Sequence, residues 1–317
     1  MNTVHILCPV HNGARYLRAF LDSVQAQTHA DWQLWMVDDA SADDSSGLLA
    51  EAAREDDRIH VLPSPPLRLG AAGAFAWLWA RVPAEAQWMA FADQDDVWRA
   101  DKLARSLQAL RAAVTDADMP GLVHTDLEVV DAELVTLAPS YWRQAGIVPT
   151  PPTFRRLVAQ NVATGCTMLL NRALYERVGE IPAGVTMHDA WVACVAAFTG
   201  TVVALTEPTV RYRQHGNNTL GARAAVTTVP LRTAAGRALR ALTGPNRVRE
   251  QFQASARQAA LLRERFAAHL SAHDRAFLER YAAIPTLPWW ARKRAVAQLH
   301  CHPEHGLIRN AGVIWRA

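Results

Sequence analysis

Along the first hundred residues the chain switches repeatedly between continuous apolar runs and helical spacing. Val4–Val10 is an unbroken apolar run of strand length. Leu17, Phe20, Leu21 and Val24 then follow the i, i+3, i+4, i+7 rule of one helix face. Gln33–Val37 predicts the next strand, ending in Asp38 and Asp39, and Ser45–Arg54 a helix. Ile59–Leu62 is a strand closed off by Pro63, Pro65 and Pro66. Ala71–Trp79 follows as a helix, Trp88–Ala92 as a strand, and Asp101–Ala112 as a helix with Leu103, Leu107 and Leu110 on its apolar face. Strands alternating with helices at this spacing predict an α/β fold, with a mostly parallel sheet flanked by helices and right-handed crossovers.

Beyond Gly121 the rhythm loosens. Leu122–Val130 reads as extended, Pro149–Pro152 as a loop, Ala190–Phe198 as a helix and Val202–Leu205 as a strand. After Ala222 strand signals stop and arginine-studded helical patterns take over, which divides the chain into residues 1–221 and a helical extension over 222–317. No repeat of solenoid period is visible.

The 317 residues are half hydrophobic, enough for a large core. The net charge of +3 conceals a division. Residues 222–317 hold 16 Arg and Lys against 5 Asp and Glu, a net of +11; residues 1–221 hold 17 against 25, a net of −8. A basic tail on an acidic body points to an anionic surface. Within the tail, Arg232, Arg237 and Arg240 alternate with Leu231, Ala235 and Leu239, and Trp289-Trp290 precede Arg292-Lys293-Arg294. Indoles beside cations suit a membrane interface, whereas the bland alternative is a solvated helical bundle packed on the body. No nucleic-acid fold signature is present.

Cys8, Cys166, Cys194 and Cys301 form no CxxC pair, which suits reduced thiols and a cytoplasmic setting. Cys301, His302 and His305 lack the second ligand pair that a structural zinc needs. The N-terminus has no basic region before its apolar run, and the longest uncharged stretch, Ala190–Thr206, is too short and interrupted to span a bilayer. The expectation is a soluble cytoplasmic protein, and the basic tail adds a peripheral place on the inner face of the cell membrane.

In open parallel sheets ligands bind beyond the carboxyl ends of strands. Three polar clusters fall there: His11-Asn12, Asp38-Asp39 and Asp93-Gln94-Asp95-Asp96. An aspartate after a strand is commonly a turn former or helix cap, which suffices for Asp38-Asp39. Three carboxylates within four residues repel one another and call for a cation or donors. Oxygen ligands of this kind suit Mg²⁺ or Mn²⁺. Neither GxGxxG nor GxxxxGK[ST] is present, so dinucleotide and P-loop phosphate sites lack their glycine loops.

The runs CPVHN, VDDAS and above all FADQDDVW resemble family 2 glycosyltransferases of the GT-A fold. The DQDDVW form is similar to the branch that contains rhamnosyltransferases of cell-surface polysaccharide synthesis. TGCT at Thr164–Thr167, HDAW at His188–Trp191 and YRQHGNN at Tyr212–Asn218 match later motifs in the same order, so the resemblance covers roughly residues 3–221. It implies that Pro9, His11, Asn12 and Gly70 line a nucleotide-sugar pocket with Gln94. Asp39 would bond the pyrimidine, and Asp93 the ribose or the metal's water shell. Asp95 would ligate the metal, and His215 would contact metal or diphosphate. Asp189 would be the general base, with Trp98, Thr164, Gly165, Cys166, His188 and Trp191 on the acceptor side. Two departures stand out: His188 occupies a place where the family often has an acid, and Leu69–Gly73 lacks a common asparagine.

The chemistry suits these residue types. Inverting transfer needs a carboxylate to take the acceptor proton and a divalent cation to stabilise the leaving diphosphate. From the residues alone, Asp189 is equally an N-cap of the apolar helix that follows it, and Trp98 packs under its loop or stacks on a sugar. Trp77, Trp79 and Trp88 read as packing. The implied activity is transfer of rhamnose from dTDP-rhamnose to a polysaccharide or lipid-linked acceptor. The alternatives are another nucleotide sugar, a nucleotidyl transfer using the same acids, or a silent nucleotide-sugar-binding scaffold.

Overall fold

A computed structural model describes residues 2–148, 152–215 and 247–298. The first half follows the alternation. Strand β1 (Val4–Val10), helix α1 (Ala14–Gln25), β2 (Trp32–Asp38), α2 (Ser45–Glu55), β3 (Ile59–Leu62), α3 (Gly70–Trp79) and β4 (Trp88–Phe91) come in that order. The two-residue strand β5 (Val97–Trp98) and α4 (Lys102–Ala113) follow. Strands β1, β2, β3 and β4 pair in parallel in the order β3-β2-β1-β4. β1 lies inside and is buried on both faces, which is why it reads as one apolar run rather than an alternation.

The second half is mixed. It comprises β6 (Gly121–Val130), β7 (Thr136–Ala138), α5 (Tyr141–Ala145), α6 (Phe154–Ala159), β8 (Leu169–Asn171), α7 (Arg172–Val178), α8 (His188–Thr199) and β9 (Thr201–Arg213). The sheet continues as β4-β8-β6-β9-β5, with β8 antiparallel to both neighbours, β9 parallel to β6, and β5 antiparallel to β9. β9 runs eight residues past the predicted end at Leu205. Glu207 and Pro208 break the apolar pattern there, and register shifts around Asp126 absorb the break.

Helices cover both faces. One core gathers Leu17 and Phe20 of α1 with Leu103 and Leu107 of α4 against Ile6, Cys8 and Leu34. The other gathers α3, α6, α7 and α8 against Leu7, Val37 and Phe91. It also takes in the C-terminal helices α9 (Arg247–Arg265) and α10 (Ala272–Ala283). Phe266, just past α9, packs 5.9 Å from Trp191 and 5.2 Å from Phe198 of α8. Over its described part, the extension beyond Ala222 therefore shares the hydrophobic core of the body. A 3₁₀ turn (Ile284–Thr286) leads to α11 (Trp289–Gln298). The Arg232–Arg240 pattern, Gly216–Asn218, and Cys301 with His302 and His305 lie outside the described residues. Among the described residues no helix is long and apolar enough to cross a membrane, and Cys8, Cys166 and Cys194 are free and buried.

Candidate active site

The carboxyl ends of β1, β2 and β4 open into a cavity of about 1030 Å³, which reaches across to the first turn of α8 and the side of α9. Pro9, His11, Asn12, Asp39, Gly70, Asp93, Gln94, Asp95 and His215 all border it.

Hydrogen bonds fix this end before any ligand arrives. Gln94 accepts from the His11 N–H at 2.8 Å and donates back to the His11 carbonyl at 2.9 Å, tying the β1 loop to the β4 loop. The chain passes so close that a Cβ on Gly13 would lie 2.3 Å from Gln94 Oε1, so a side chain there would displace the Gln94 amide from His11. Asn12 holds a left-handed backbone (φ 49°), while its Oδ1 accepts from the Ala42 N–H at 2.7 Å. Asp39 takes both the Leu69 N–H (2.6 Å) and the Gly70 N–H (2.8 Å) on its carboxylate. The carboxylate thereby supports the segment that lacks the common asparagine, and Gly70 supplies the left-handed turn there (φ +70°).

The acids after β4 divide by environment. Asp95 Oδ2 lies 2.6 Å from His215 Nε2, which the end of β9 delivers. Arg213 donates from Nε to the Asp95 carbonyl at 2.8 Å and stacks over Tyr16 at 4.6 Å. Asp96 is fully buried; its Oδ1 accepts from the Arg213 N–H at 3.1 Å, so it pins β9 rather than facing the cavity. Burial, and then the charges of Asp95 and Asp189, push the Asp93 carboxyl up to about 7. Burial, and then Asp95 and Asp93, push Asp96 well above the ordinary carboxylate range. Asp93 and Asp96 are thus both pushed toward their protonated forms.

Asp93, Asp96 and Cys166 bring one ligand atom each within 4.8 Å of one another. Cys166 is fully buried, and burial with the charges of Asp96 and Asp93 holds its thiol far above its usual pKa. Without a cation beside it, the thiol therefore stays protonated. Asp93, Asp95 and His215 border the cavity and carry carboxylate and imidazole groups of the kind that suits Mg²⁺ or Mn²⁺.

At the far end, Asp189 accepts from the Ala190 N–H at 2.6 Å on Oδ1 and from the Gly165 N–H at 3.0 Å on Oδ2. The N-cap of α8 is Met187, so Asp189 sits inside the first turn instead of capping it. Burial pushes its carboxyl up to about 6, against the pull of those N–H groups and the Asn161 side chain. His188 is stacked 3.6 Å from Phe75 with its edge toward Phe91 at 4.5 Å, and burial lowers it to about 3. The imidazole beside Asp189 is therefore neutral. Gly165 fits because a Cβ there would meet His188 Nε2 at 3.1 Å and Asp189 Cβ at 3.2 Å.

Three sequence assignments are corrected. Trp98 is buried on the opposite face, edge-on to Phe20 at 6.1 Å, with Lys102 Nζ 4.5 Å over its ring. Cys166 turns away from the cavity toward Asp96, and Trp191 is wholly buried against Phe266. None of the three borders the cavity, whereas Thr164, Gly165 and His188 do. Sequence reading missed Tyr16, Arg68, Tyr141, Asn161, Ser255 and Gln258, all of which line it. Gln258 takes the Thr186 N–H on its side-chain oxygen at 3.1 Å, so α9 both braces and walls the cavity beside α8.

Residues 5–179, more than half the chain, match the profile of glycosyl transferase family 2. The chain belongs to that family. An uncharacterised glycosyltransferase of Nostoc sp. is 27% identical over 246 residues, covering 74% of this chain and 71% of that protein. In Escherichia coli, the UDP-Glc:alpha-D-GlcNAc-diphosphoundecaprenol beta-1,3-glucosyltransferase WfgD is 28% identical over 54% of this chain and 61% of its own. The putative teichuronic acid biosynthesis glycosyltransferase TuaG of Bacillus subtilis is 33% identical, over 33% of this chain and 40% of its own. The chain thus spans less than two thirds of WfgD and of TuaG. Among solved structures, residues 1–349 of Staphylococcus aureus TarS with UDP-GlcNAc superpose with a TM-score of 0.55 at 13% identity, over 99% of this chain and 89% of that one. The mannosyltransferase PcManGT of Pyrobaculum calidifontis, with GDP-Man and Mn²⁺, gives 0.53 at 19% identity, over 98% and 78%. The family 2 chain has the GT-A glycosyltransferase fold.

Proposed function

We propose that the protein transfers a sugar from a nucleotide diphosphate donor to an acceptor hydroxyl with inversion at the anomeric carbon. One observation carries this reading. A single cavity is bordered by Asp93, Asp95 and His215 and, at the start of α8, by one carboxylate fixed by two backbone N–H groups. Asp95 is the direct metal ligand, with Asp93 and His215 beside it. Bound there, Mg²⁺ or Mn²⁺ would neutralise the diphosphate as its bond to the sugar breaks.

Asp189 takes the proton from the acceptor hydroxyl while that oxygen attacks the anomeric carbon, and the bonding pair leaves with the nucleoside diphosphate. A carboxyl near 6 is a stronger base than an ordinary aspartate yet is still ionised at neutral pH. His11, Asn12, Gln94 and the Asp39-held Gly70 turn shape the nucleotide pocket. Thr164, Gly165 and His188 shape the acceptor side, together with Ser255 and Gln258 from the 222–317 extension.

The DQDDVW resemblance supports rhamnose from dTDP-rhamnose as the donor, and the company of WfgD and TuaG supports a glycan or lipid-linked acceptor met on the cytoplasmic side of the membrane. The test is donor hydrolysis and binding across a panel of nucleotide sugars with Mn²⁺. Release of nucleoside diphosphate from one donor is expected. Pyrophosphate release would mean nucleotidyl transfer, and no binding of any donor would overturn the reading.

A further inference from the structure

We propose that the start of α11 is a docking surface for an anionic phospholipid bilayer, built from Trp289, Trp290, Lys293 and Arg294. Two large indoles stand open to solvent here, Trp289 at 69% and Trp290 at 61% exposure. At about 100° per residue the four side chains fall within one arc of about 140°. Each indole has a cation one turn along the helix, and Lys293 Nζ lies 5.2 Å from the centroid of the Trp289 ring. Val296 is buried, so the helix itself is seated on the protein.

Charge complementarity selects the occupant. The four acids of residues 247–298 are Glu250, Glu264, Asp274 and Glu279, all on α9 and α10. There they offset arginines, as in the Arg155–Asp274 and Arg263–Glu279 pairs. From Tyr281 to Gln298 the chain has Arg292, Lys293 and Arg294 and no acid. A bilayer with anionic headgroups takes indoles at its interface and cations at its surface together. The position fits the proposed chemistry, because α9, which walls the acceptor end, packs on the 3₁₀ turn that carries α11. The inference deepens the sugar-transfer reading by naming where a lipid-linked acceptor is met, but its test needs no transfer assay.

The test is vesicle flotation of the full chain, with phosphatidylcholine–phosphatidylglycerol vesicles compared with phosphatidylcholine alone at low and high salt. Wild type should float with the anionic vesicles at low salt and be released by high salt. Lys293→Gln with Arg294→Gln should lower partitioning about 25-fold, from about fivefold per cation near an anionic surface. Trp289→Ser with Trp290→Ser should lower it more than about tenfold with an unchanged melting temperature, since both rings are exposed. The proposal fails if wild type stays at the bottom or floats equally with phosphatidylcholine alone. It also fails if the tryptophan variant floats like wild type, or if that variant changes oligomeric size on gel filtration, which would mean that another copy covers the pair. Donor hydrolysis by the same variants reports on the catalytic reading separately.

Discussion

The two ends of the cavity hold their carboxylates in opposite ways. At the acceptor end a single aspartate, Asp189, is met by the Ala190 and Gly165 N–H groups at the start of a helix, where the backbone dipole favours negative charge. At the donor end Asp93, Asp95 and Asp96 crowd one turn, with His215 touching Asp95 and Arg213 touching Asp96 and the Asp95 backbone. Burial and mutual repulsion drive two of the three toward the protonated state. The Asp189 carboxylate has its donors within the protein, whereas on the proposed reading the Asp93–Asp96 turn would gain its counter-charge from a cation bound with the diphosphate.

The largest way to break this contrast is to remove the cation or its ligand. EDTA, or Asp95→Ala, is expected to lower turnover more than about 10³-fold, on the scale of lost charge stabilisation at a leaving group. Titration of nucleotide with Mn²⁺ should show metal-dependent binding lost in the variant. Full activity under either condition would end the metal assignment.

A smaller effect is expected at the other end from Gly165→Ala. The added methyl would press on His188 and Asp189 at 3.1–3.4 Å, and displacing a positioned base by a fraction of an ångström should lower kcat about 10–100-fold. Donor KM should hardly move. A rise in donor KM with unchanged kcat would place Gly165 at the wrong end.

The smallest effect is thermodynamic. Asp93 titrates near 7 in the fold against 3.8 unfolded, so between those values the folded state binds more protons than the unfolded state. Asp189, near 6, acts with the same sign over a narrower window. Stability of the metal-free protein from these groups is fully present below about 4 and is lost as pH rises through 6 and 7. Its melting temperature should therefore fall by a few degrees between pH 5 and pH 8. Mn²⁺ should restore more at pH 8 than at pH 5, where protons compete for the same carboxylates. Equal stabilisation by Mn²⁺ at both pH values would show that the cluster is not proton-loaded.

The same contrast explains what was legible in the sequence. The donor end is written in short runs at the ends of buried strands. Val4–Val10 leads into His11, and Trp88–Phe91 leads into Asp93, so apolar runs locate the chemistry. The acceptor end is assembled from distant pieces. Gly165 comes from a 3₁₀ turn, Asp189 from α8, and Ser255 and Gln258 from α9, where no motif marks them. Motif neighbours also misled. In TGCT the backbone of Gly165 meets Asp189, but the next side chain, Cys166, points to the opposite core. In HDAW, Asp189 faces the cavity while Trp191, two residues on and about 200° round the helix, packs into the interior. Proximity in sequence names the segment, and only the local period decides which side chain faces the ligand. The short elements β5, β7 and β8 carry too few residues to show any period at all.

The central claim is that donor binding and proton abstraction are separate jobs at separate ends of one cavity. Asp189→Asn tests it most directly, because the amide oxygen can still accept the Gly165 or Ala190 N–H while basicity is gone. Sugar transfer and Mn²⁺-dependent donor affinity should be measured side by side in this variant. Transfer should fall about 10²–10⁴-fold, the usual worth of a general base, with donor affinity unchanged within about twofold. Transfer near the wild-type rate, or a loss fully accounted for by weaker donor binding, would contradict the account.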